Sequence, residues 1–322
     1  MVGHERQWNF LKDKYQSGQL SHAYILAGSN ELGKKHLAIE FAKYANCSAQ
    51  KKPCGQCQQC NLISKGNFPD LLVVTSAQSS SSVKDGRDNL QIDVAQIRSV
   101  QSFLSYKPYY GTLKTVIIDN ADRMNHEAQS CFLKTLEEPK GNTVVFLVTA
   151  KPTVLLPTIF SRCQTVTFFP VAGTLIKNHL QEQGVSPQES AASVAKSAGA
   201  PGKAITLSEH PEIPQQEKEL LEGLLRAIQS ELAVRFQYTK KADLDGGNFD
   251  KLLNLLQRQV RAVLLEKMGI PAVQKISSMP VFSEYSVGRL QSLLKLIEQI
   301  ATQTSQTNAS NKLALEILLL EA

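Results

Sequence analysis

The pattern of apolar residues changes near Pro170, about halfway along the chain. Before this residue, short apolar runs rich in Val and Ile alternate with stretches that have helical spacing. Each run is at most five residues long and apolar on successive positions, as in strands buried on both faces of a parallel sheet. The predicted strands are Ala23–Ala27, Leu71–Val74, Val116–Ile118, Val144–Val148 and Val166–Phe169.

The stretches between these runs carry signals for the start of a helix. Asp93 stands three residues before Gln96, and Asn125 precedes Glu127 by two, which is typical of helix N-caps. Strands that alternate with helices predict an α/β doubly wound domain. A serine run at residues 79–82 predicts a flexible loop ahead of the helix that follows Asp93.

After Pro170, leucines at helical spacing replace the Val and Ile runs, which predicts an all-helical second half. Pro and Gly punctuation at 200–202 and 209–214 predicts a small helical module, a linker and a larger helical domain. We place the boundaries at residues 1–168, 169–208 and 212–322. The predicted apolar stripes are Leu252, Leu253, Leu256, Val260, Val263 and Leu264, and then Leu290, Leu293, Leu294, Ile297 and Ile300.

The composition excludes a disordered chain, because 42% of the residues are hydrophobic and 20% are charged. Residues 1–15 hold no apolar signal-peptide core, and no stretch reaches the ~18 apolar residues of a membrane span. We therefore expect a soluble cytoplasmic protein with no membrane partner. The net charge of +6 lies entirely in residues 1–168, with 19 basic and 13 acidic residues, which is consistent with anionic partners.

A candidate phosphate-binding loop follows the first predicted strand. Gly28 and Gly33 would let backbone N–H groups turn toward phosphates, and Lys34 would reach the β and γ positions. Lys35 stands where such a loop needs a Ser or Thr hydroxyl for Mg²⁺. The strand-to-helix context predicts a P-loop fold, but the binding of a Mg²⁺-nucleotide is left open. A chance loop is the alternative.

A second element of a nucleotide site is a buried strand that ends in an acid. The strand Val116–Ile118 ends at Asp119, whose carboxylate would orient Mg²⁺. Its neighbour is Asn120, which cannot act as a base, and the next acid is Asp122. We interpret this as a weakened metal-binding strand that does not predict hydrolysis. The alternative is a strand terminus with an aspartate in a turn.

Four of the six cysteines lie within fourteen residues. Cys54, Cys57 and Cys60 form a Cys-x2-Cys-x2-Cys motif, and Cys47 lies seven residues before it. Four thiolates at this spacing can close tetrahedrally on Zn²⁺, leaving no position for a reactive water. The cysteines therefore predict a structural zinc site. Unliganded thiols and an iron–sulfur cluster are the alternatives.

Several segments together resemble the AAA+ clamp-loader subunits of bacterial DNA polymerase III. The resemblance extends along nearly the whole chain, and its Leu-Glu-Glu-Pro and Ser-Arg-Cys motifs are specific to clamp loaders. At the end of the chain, residues 311–316 are similar to a collar helix of the delta-prime branch. The matching segments are His22-Ala23-Tyr24, the four cysteines, Phe132-Leu133-Lys134-Thr135-Leu136-Glu137-Glu138-Pro139 and Ser161-Arg162-Cys163.

This family has a gamma/tau motor branch, which hydrolyses ATP, and the delta-prime branch, which serves as a stator. Motors carry Ser or Thr after the P-loop Lys, an Asp-Glu pair after the second strand motif and an Arg in the small helical module. Lys35, Asn120 and Gly202 occupy those places here. The resemblance therefore implies a stator with a degenerate nucleotide site. That site would comprise Gly28, Gly33, Lys34, Lys35, Asp119 and Thr149. Thr149 occupies the place of the family's nucleotide-sensing residue, and a purely structural role is the alternative.

The resemblance also implies a role for Arg162 as an arginine finger. In this family the Ser-Arg-Cys arginine reaches across a subunit boundary to the nucleotide of the neighbouring motor, where a guanidinium stabilises charge on the γ-phosphate. For an isolated motif, a surface arginine at a helix end is the alternative.

The implied function is that of a stator subunit that helps load the sliding clamp onto primed DNA during replication. Its partners would be the motor and delta subunits in a ring, and the clamp and DNA through the complex. Residues 1–168 would be the AAA+ domain, 169–208 a lid and 212–322 a collar. Zn²⁺ would be a structural cofactor, with ATP or ADP left open. We expect no independent catalysis, although the chain would belong to the polymerase holoenzyme.

Two other functions are compatible with the motifs. One is an active AAA+ ATPase, either a divergent motor of the gamma/tau type or a remodelling factor. The other is a zinc-dependent nucleic-acid-binding protein that acts alone. The second has weak support, because only Lys51, Lys52 and Lys65 and few aromatics adjoin the cysteines.

Overall fold

The computed structural model describes residues 2–76, 91–139, 141–242, 244, 248–270, 280–306 and 309–321. The serine run predicted to be a loop lies outside these residues. The chain divides after Ser208 into two compact units, which are described separately.

A five-stranded parallel sheet forms the centre of the first unit, with the strand order β2-β3-β4-β1-β5. The sheet confirms the predicted α/β fold. Parallel pairing brings the carboxyl ends of the strands to one edge, where Ala27 of β1 lies opposite Thr149 of β4. The strands are β1 Ala23–Ala27, β2 Leu71–Val74, β3 Lys114–Ile118, β4 Thr143–Thr149 and β5 Gln164–Thr167.

The fifth strand begins and ends two residues earlier than predicted. β5 pairs with β1 alone, so it is an edge strand, and only Val166 of its four residues is buried. Phe168 still donates its N–H to the Ala27 carbonyl at 2.7 Å, but Phe169 is 66% exposed. The apolar run used for the prediction therefore extends beyond β5, because Phe168 and Phe169 belong to the connection that follows the strand.

Apolar clusters cover both faces of the sheet. Along β1, Ala23, Ile25 and Ala27 join one cluster, whereas Tyr24 and Leu26 join the other. Burial on both faces explains why the strand is apolar at successive positions. The helices that flank the sheet are α1 Glu5–Gln16, α2 Lys34–Asn46, α3 Gln58–Ser64, α4 Val94–Ser105, α5 His126–Glu137 and α6 Pro157–Phe160.

The predicted N-caps are confirmed. Asp93 accepts a hydrogen bond from the Gln96 N–H at 2.9 Å, and its own N–H donates to the Gln96 side chain, which completes a capping box at α4. Asn125 accepts from the Ala128 N–H at 2.8 Å at the start of α5. Both helices consequently begin where the sequence predicts.

A fully buried carboxylate holds the connection from α4 to β3. Asp70, just before β2, accepts hydrogen bonds from the backbone N–H groups of Tyr109, Tyr110 and Gly111, each at 2.7 Å. These three bonds satisfy a charge that would otherwise be costly to bury. They also fix the chain as it enters β3, whose far end contributes to the site described below.

Three helices, α7 Gly173–Glu182, α8 Pro187–Ser197 and α9 Pro201–Glu209, complete the first unit. They enclose a small cluster built on Ile176, Leu180 and Ala204.

The second unit is helical throughout its described residues, as predicted. Of the first predicted stripe, Leu252, Leu253, Leu256 and Val260 are buried and the last two members are partly buried; of the second, all but the partly buried Leu294 are buried. No helix in the described ranges is long and apolar enough to cross a membrane. The helices are α10 Ile213–Gln229, α11 Leu232–Lys241, α12 Asn248–Lys267, α13 Val287–Gln306 and α14 Asn311–Glu321.

Candidate functional site

The loop between β1 and α2 has the backbone that its glycines predict. Gly28 lies so close to the residue that follows β5 that an added Cβ would be 2.6 Å from the Phe168 carbonyl oxygen. Gly33 has φ 89° as the N-cap of α2, a conformation that favours glycine. The loop therefore joins a buried strand to a helix N-terminus, as in a phosphate-binding loop.

The Lys34 ammonium is turned back onto this loop. It donates to the Gly28 carbonyl at 2.6 Å and to the Ser29 carbonyl, and the residue is 5% exposed. Burial lowers the pKa of Lys34 to about 8, although the carboxylates of Asp122 and Asp119 oppose the shift. The ammonium of Lys34 is thus hydrogen-bonded to backbone carbonyl groups of its own loop.

Lys35 forms an ion pair with the acid at the end of β3. Its Nζ lies 3.0 Å from Oδ2 of Asp119, with the two side chains 41% and 19% exposed. A partly exposed pair of this kind contributes about 1 kcal/mol at most. Its position is more informative than its strength, because an ammonium stands beside the carboxylate that would otherwise orient Mg²⁺.

Thr149 at the end of β4 has partners within the protein. Its hydroxyl donates to Asp122 Oδ1 at 2.6 Å and accepts from the Lys151 N–H at 3.0 Å, and the residue is 1% exposed. Asp122 follows the turn that begins at Asn120, which has φ 55°. The turn brings the carboxylate to the strand end, where it meets the threonine.

The helical module touches the loop through a glycine. The Gly202 N–H donates to the Glu31 carbonyl at 2.8 Å, and a Cβ on Gly202 would lie only 2.8 Å from the same oxygen. Real Cβ atoms do not approach an oxygen so closely, so any side chain at position 202 would displace α9 or the loop. The position that the resemblance matches to a motor arginine is thus occupied by a glycine in close backbone contact.

The four predicted metal ligands come together at the C-terminal end of α2 and the start of α3. All four Sγ atoms lie within 4.8 Å of one another, and those of Cys47 and Cys57 are 3.9 Å apart. Four sulfurs around one zinc ion lie about 3.8 Å apart, given Zn–S bonds of about 2.3 Å. The four cysteines therefore fit a tetrahedral metal ion.

Backbone N–H groups favour the thiolate of Cys57, whereas burial disfavours the thiolate of Cys60. Burial raises the pKa of Cys57, but N–H groups of Cys60 and Ser48 oppose it, and the net effect lowers the pKa to about 6. Burial raises the pKa of Cys60 to about 12, so a metal ion would have to displace its proton. The spacing of the four sulfurs, and not these pKa values, is what fits a metal ion.

Arg162 follows α6 at the surface of the first unit. Its Nη2 lies 2.8 Å from Glu137 Oε1, and its Nη1 donates to the Thr158 carbonyl at 3.0 Å and to the Ser161 hydroxyl at 3.1 Å. The next residue, Cys163, packs against the apolar cluster of the sheet, and burial raises its pKa to about 12. In the Ser-Arg-Cys motif, the serine hydroxyl therefore binds the guanidinium, the arginine side chain is 34% exposed, and the partly buried cysteine packs against the core.

The structure brings the predicted nucleotide residues to one edge of the sheet and the four cysteines to one cluster, with Arg162 apart from both. Sequence reasoning missed four partners: His4, Glu31, Glu137 and the role of Asp122. His4 lies against the loop with its ring 4.7 Å from that of Phe168, and burial lowers its pKa. Each partner is distant in the chain from the group it meets, so residue spacing does not signal the contact. Glu137 alone carried a signal, since it lies within the Leu-Glu-Glu-Pro motif.

The first unit has a parallel sheet, a P-loop after the first strand and a helical module that follows the last strand. This combination defines an α/β P-loop protein of the AAA+ class. The chain belongs to the family described as "DNA polymerase III, delta subunit", whose sequence model matches residues 3–172, more than half of its length. This match confirms the resemblance found in the sequence.

Individual relatives agree with the family match. The chain is 34% identical over 217 residues to the DNA polymerase III subunit delta′ of Bacillus subtilis, covering 67% of this chain and 62% of that protein. It is 31% identical over 219 residues to the delta′ subunit of Pseudomonas aeruginosa, covering 67% and 64%. It is also 35% identical over 182 residues to subunit tau/gamma of Haemophilus influenzae, covering 56% and 25%. The matches thus span less than two thirds of each relative.

We predict that the Lys35–Asp119 pair suppresses Mg²⁺-dependent nucleotide binding. In Lys35→Thr, a hydroxyl replaces the ammonium and frees Asp119, so Mg²⁺ should tighten ATP binding about tenfold, or roughly 1.4 kcal/mol. Wild-type protein and the control Lys196→Thr, altered at an exposed position of α8, should show no effect of Mg²⁺. Calorimetric titration with Mg²⁺ or EDTA measures this. ATP binding by Lys35→Thr that ignores Mg²⁺ would contradict the assignment.

We predict that the purified protein carries one equivalent of metal in the cysteine cluster. Cys57→Ser should lose it, and the melting temperature should fall by at least about 3 °C, or about 1 kcal/mol for a unit of this size. Elemental analysis and thermal denaturation measure the two effects. Cys131→Ser is the matched control, because Cys131 lies outside the cluster. Equal metal content in both variants would show that the cluster is not the site.

Proposed function

We propose that this chain is a delta-prime (stator) subunit of a bacterial clamp loader. It would complete a ring with motor and delta subunits that opens the sliding clamp and places it on primed DNA. The observation that carries the proposal is the Lys35–Asp119 ion pair, since an ammonium stands where a motor needs Mg²⁺. The names of the delta′ relatives support the same assignment.

The degenerate nucleotide site favours the stator over the motor alternative. Hydrolysis of ATP requires a metal ion between phosphate oxygens and a residue that orients the attacking water. Lys34 and Lys35 have partners within the protein, and the backbone contact of Gly202 leaves no room for an arginine there. We infer that the subunit hydrolyses no ATP by itself. Nucleotide that binds at Gly28, Gly33, Lys34, Lys35, Asp119 and Thr149 would do so without Mg²⁺.

We assign the cysteine cluster to a structural Zn²⁺ ion. Soft thiolate ligands and tetrahedral spacing favour zinc, and four protein ligands leave no open coordination position. Bound zinc would tie the end of α2 to the start of α3. The cluster does not support the alternative of a separate nucleic-acid-binding protein, because its neighbouring charge is limited to three lysines.

The chain would have three functional parts, with residues 1–168 as the AAA+ domain, 169–208 as the lid and 212–322 as the collar.

The second unit offers a surface for ring assembly on α14. Leu313, Ile317 and Leu320 are 58%, 43% and 54% exposed, and their i, i+4, i+7 spacing places them on one face. An exposed apolar face of this kind suits packing against another helical subunit. The cytoplasm is the proposed location.

We predict that Arg162 acts on the nucleotide of a neighbouring motor. In a clamp loader reconstituted with cognate motor and delta subunits, Arg162→Ala should slow turnover at the motor site it faces by ~10³ or more, as for other arginine fingers. Arg162→Lys should not restore it, because an ammonium lacks the planar fork. Single-turnover ATP hydrolysis and clamp loading measure the effect, with Arg6→Ala as an exposed control. Wild-type rates in Arg162→Ala would contradict the proposal.

We predict that the exposed face of α14 contributes to assembly. Ile317→Glu combined with Leu320→Glu would place charges within an apolar contact and weaken incorporation into the complex at least tenfold, or about 1.4 kcal/mol. Lys312→Gln on the same helix is the control, and circular dichroism verifies folding. Analytical ultracentrifugation of the mixed subunits measures incorporation. Unimpaired assembly of the double variant would exclude this face.

A further inference from the structure

The two motifs that are specific to the family meet in space at one ion pair. Glu137 is the last residue of α5, and Arg162 follows α6, twenty-five residues later in the chain. Their side chains approach to 2.8 Å between Oε1 and Nη2, and they are 49% and 34% exposed. Glu137 thus contacts the very arginine for which a role in trans is proposed above.

The ion pair completes a set of bonds that orients the guanidinium. Nη1 donates to the Thr158 carbonyl and to the Ser161 hydroxyl, and that hydroxyl in turn donates to the same carbonyl at 3.0 Å. Glu137 binds from the other amino group. These bonds use at most three of the five N–H donors of an arginine and leave at least two for another acceptor.

Orientation, rather than stability, is the effect that such a pair can have. An ion pair exposed to this degree contributes little to folding, because water and salt screen it. An arginine already held in one plane loses less rotamer freedom when it meets a phosphate than one free in solvent. In addition, the bidentate recognition of phosphate oxygens depends on the direction of the guanidinium fork.

We propose that Glu137 is a positioning residue for Arg162. This inference rests on the proposed trans-acting role of that arginine. The carboxylate holds one amino group of the guanidinium, and the free donors face the γ-phosphate of the neighbouring subunit. Glu137 acts through the arginine of its own chain and not by contact with the nucleotide.

The test uses the complex reconstituted with cognate motor and delta subunits. Glu137→Ala should lower kcat for ATP hydrolysis about threefold to tenfold, which corresponds to about 0.7 to 1.4 kcal/mol. KM for ATP should stay unchanged, because the residue does not contact bound ATP. Glu137→Gln keeps an acceptor oxygen at the same place and should recover most of the rate. The adjacent Glu138→Ala is the matched control, because Glu138 is also exposed.

A double variant separates this inference from the proposed function. If Glu137 acts through the arginine, Arg162→Ala with Glu137→Ala should be no slower than Arg162→Ala alone. A wild-type rate in Glu137→Ala, while Arg162→Ala is slow, would overturn the inference and leave the finger intact. A further loss in the double variant would also overturn it. Wild-type turnover in Arg162→Ala would instead refute the proposed function.

Discussion

The parallel sheet brings the carboxyl ends of β1, β3 and β4 to one edge, and the charged groups there pair with each other. Lys34 bonds to the carbonyls of its own loop, and Lys35 pairs with Asp119 across the gap between α2 and β3. Both cations therefore have partners within the protein, and these contacts link the loop to its own backbone and to the end of β3. The hydrogen bond from Gly202 to Glu31 joins the helical module to the loop.

Under the proposed function, Lys35 would account for much of the difference from a motor subunit. A lysine at position 35 removes the hydroxyl that would bind Mg²⁺, and it also brings a positive charge to the acid that would bind the same ion. Gly202 also distinguishes the chain from the motor pattern, since it permits a close backbone contact with Glu31 where a long side chain would not fit. Both residues therefore make internal contacts at the places where the proposed function distinguishes a stator from a motor.

The sequence predicted local features well and distant contacts poorly. The apolar run 23–27 and the caps at Asp93 and Asn125 depend on residues close together in the chain, and each was confirmed. The edge strand β5 was misplaced because its apolar residues include Phe168, which is buried beyond the strand end. The pairings of Lys35 with Asp119 and Arg162 with Glu137 span 84 and 25 residues. Folding alone brings such partners together, so only a recognised motif could have pointed to them.

The candidate nucleotide site and Arg162 differ in how far their polar groups are available to another molecule. The residues of the candidate nucleotide site bond to the protein's own groups, whereas the Arg162 side chain is 34% exposed and keeps at least two N–H donors for another acceptor. Under the proposed function, such a subunit would contribute to a neighbour's reaction and catalyse none of its own. The most direct test is ATP turnover by the isolated wild-type chain, measured with and without Mg²⁺ and compared with Asp119→Asn. We predict no turnover above background in any of these conditions. Turnover that requires Mg²⁺ and disappears in Asp119→Asn would contradict the account.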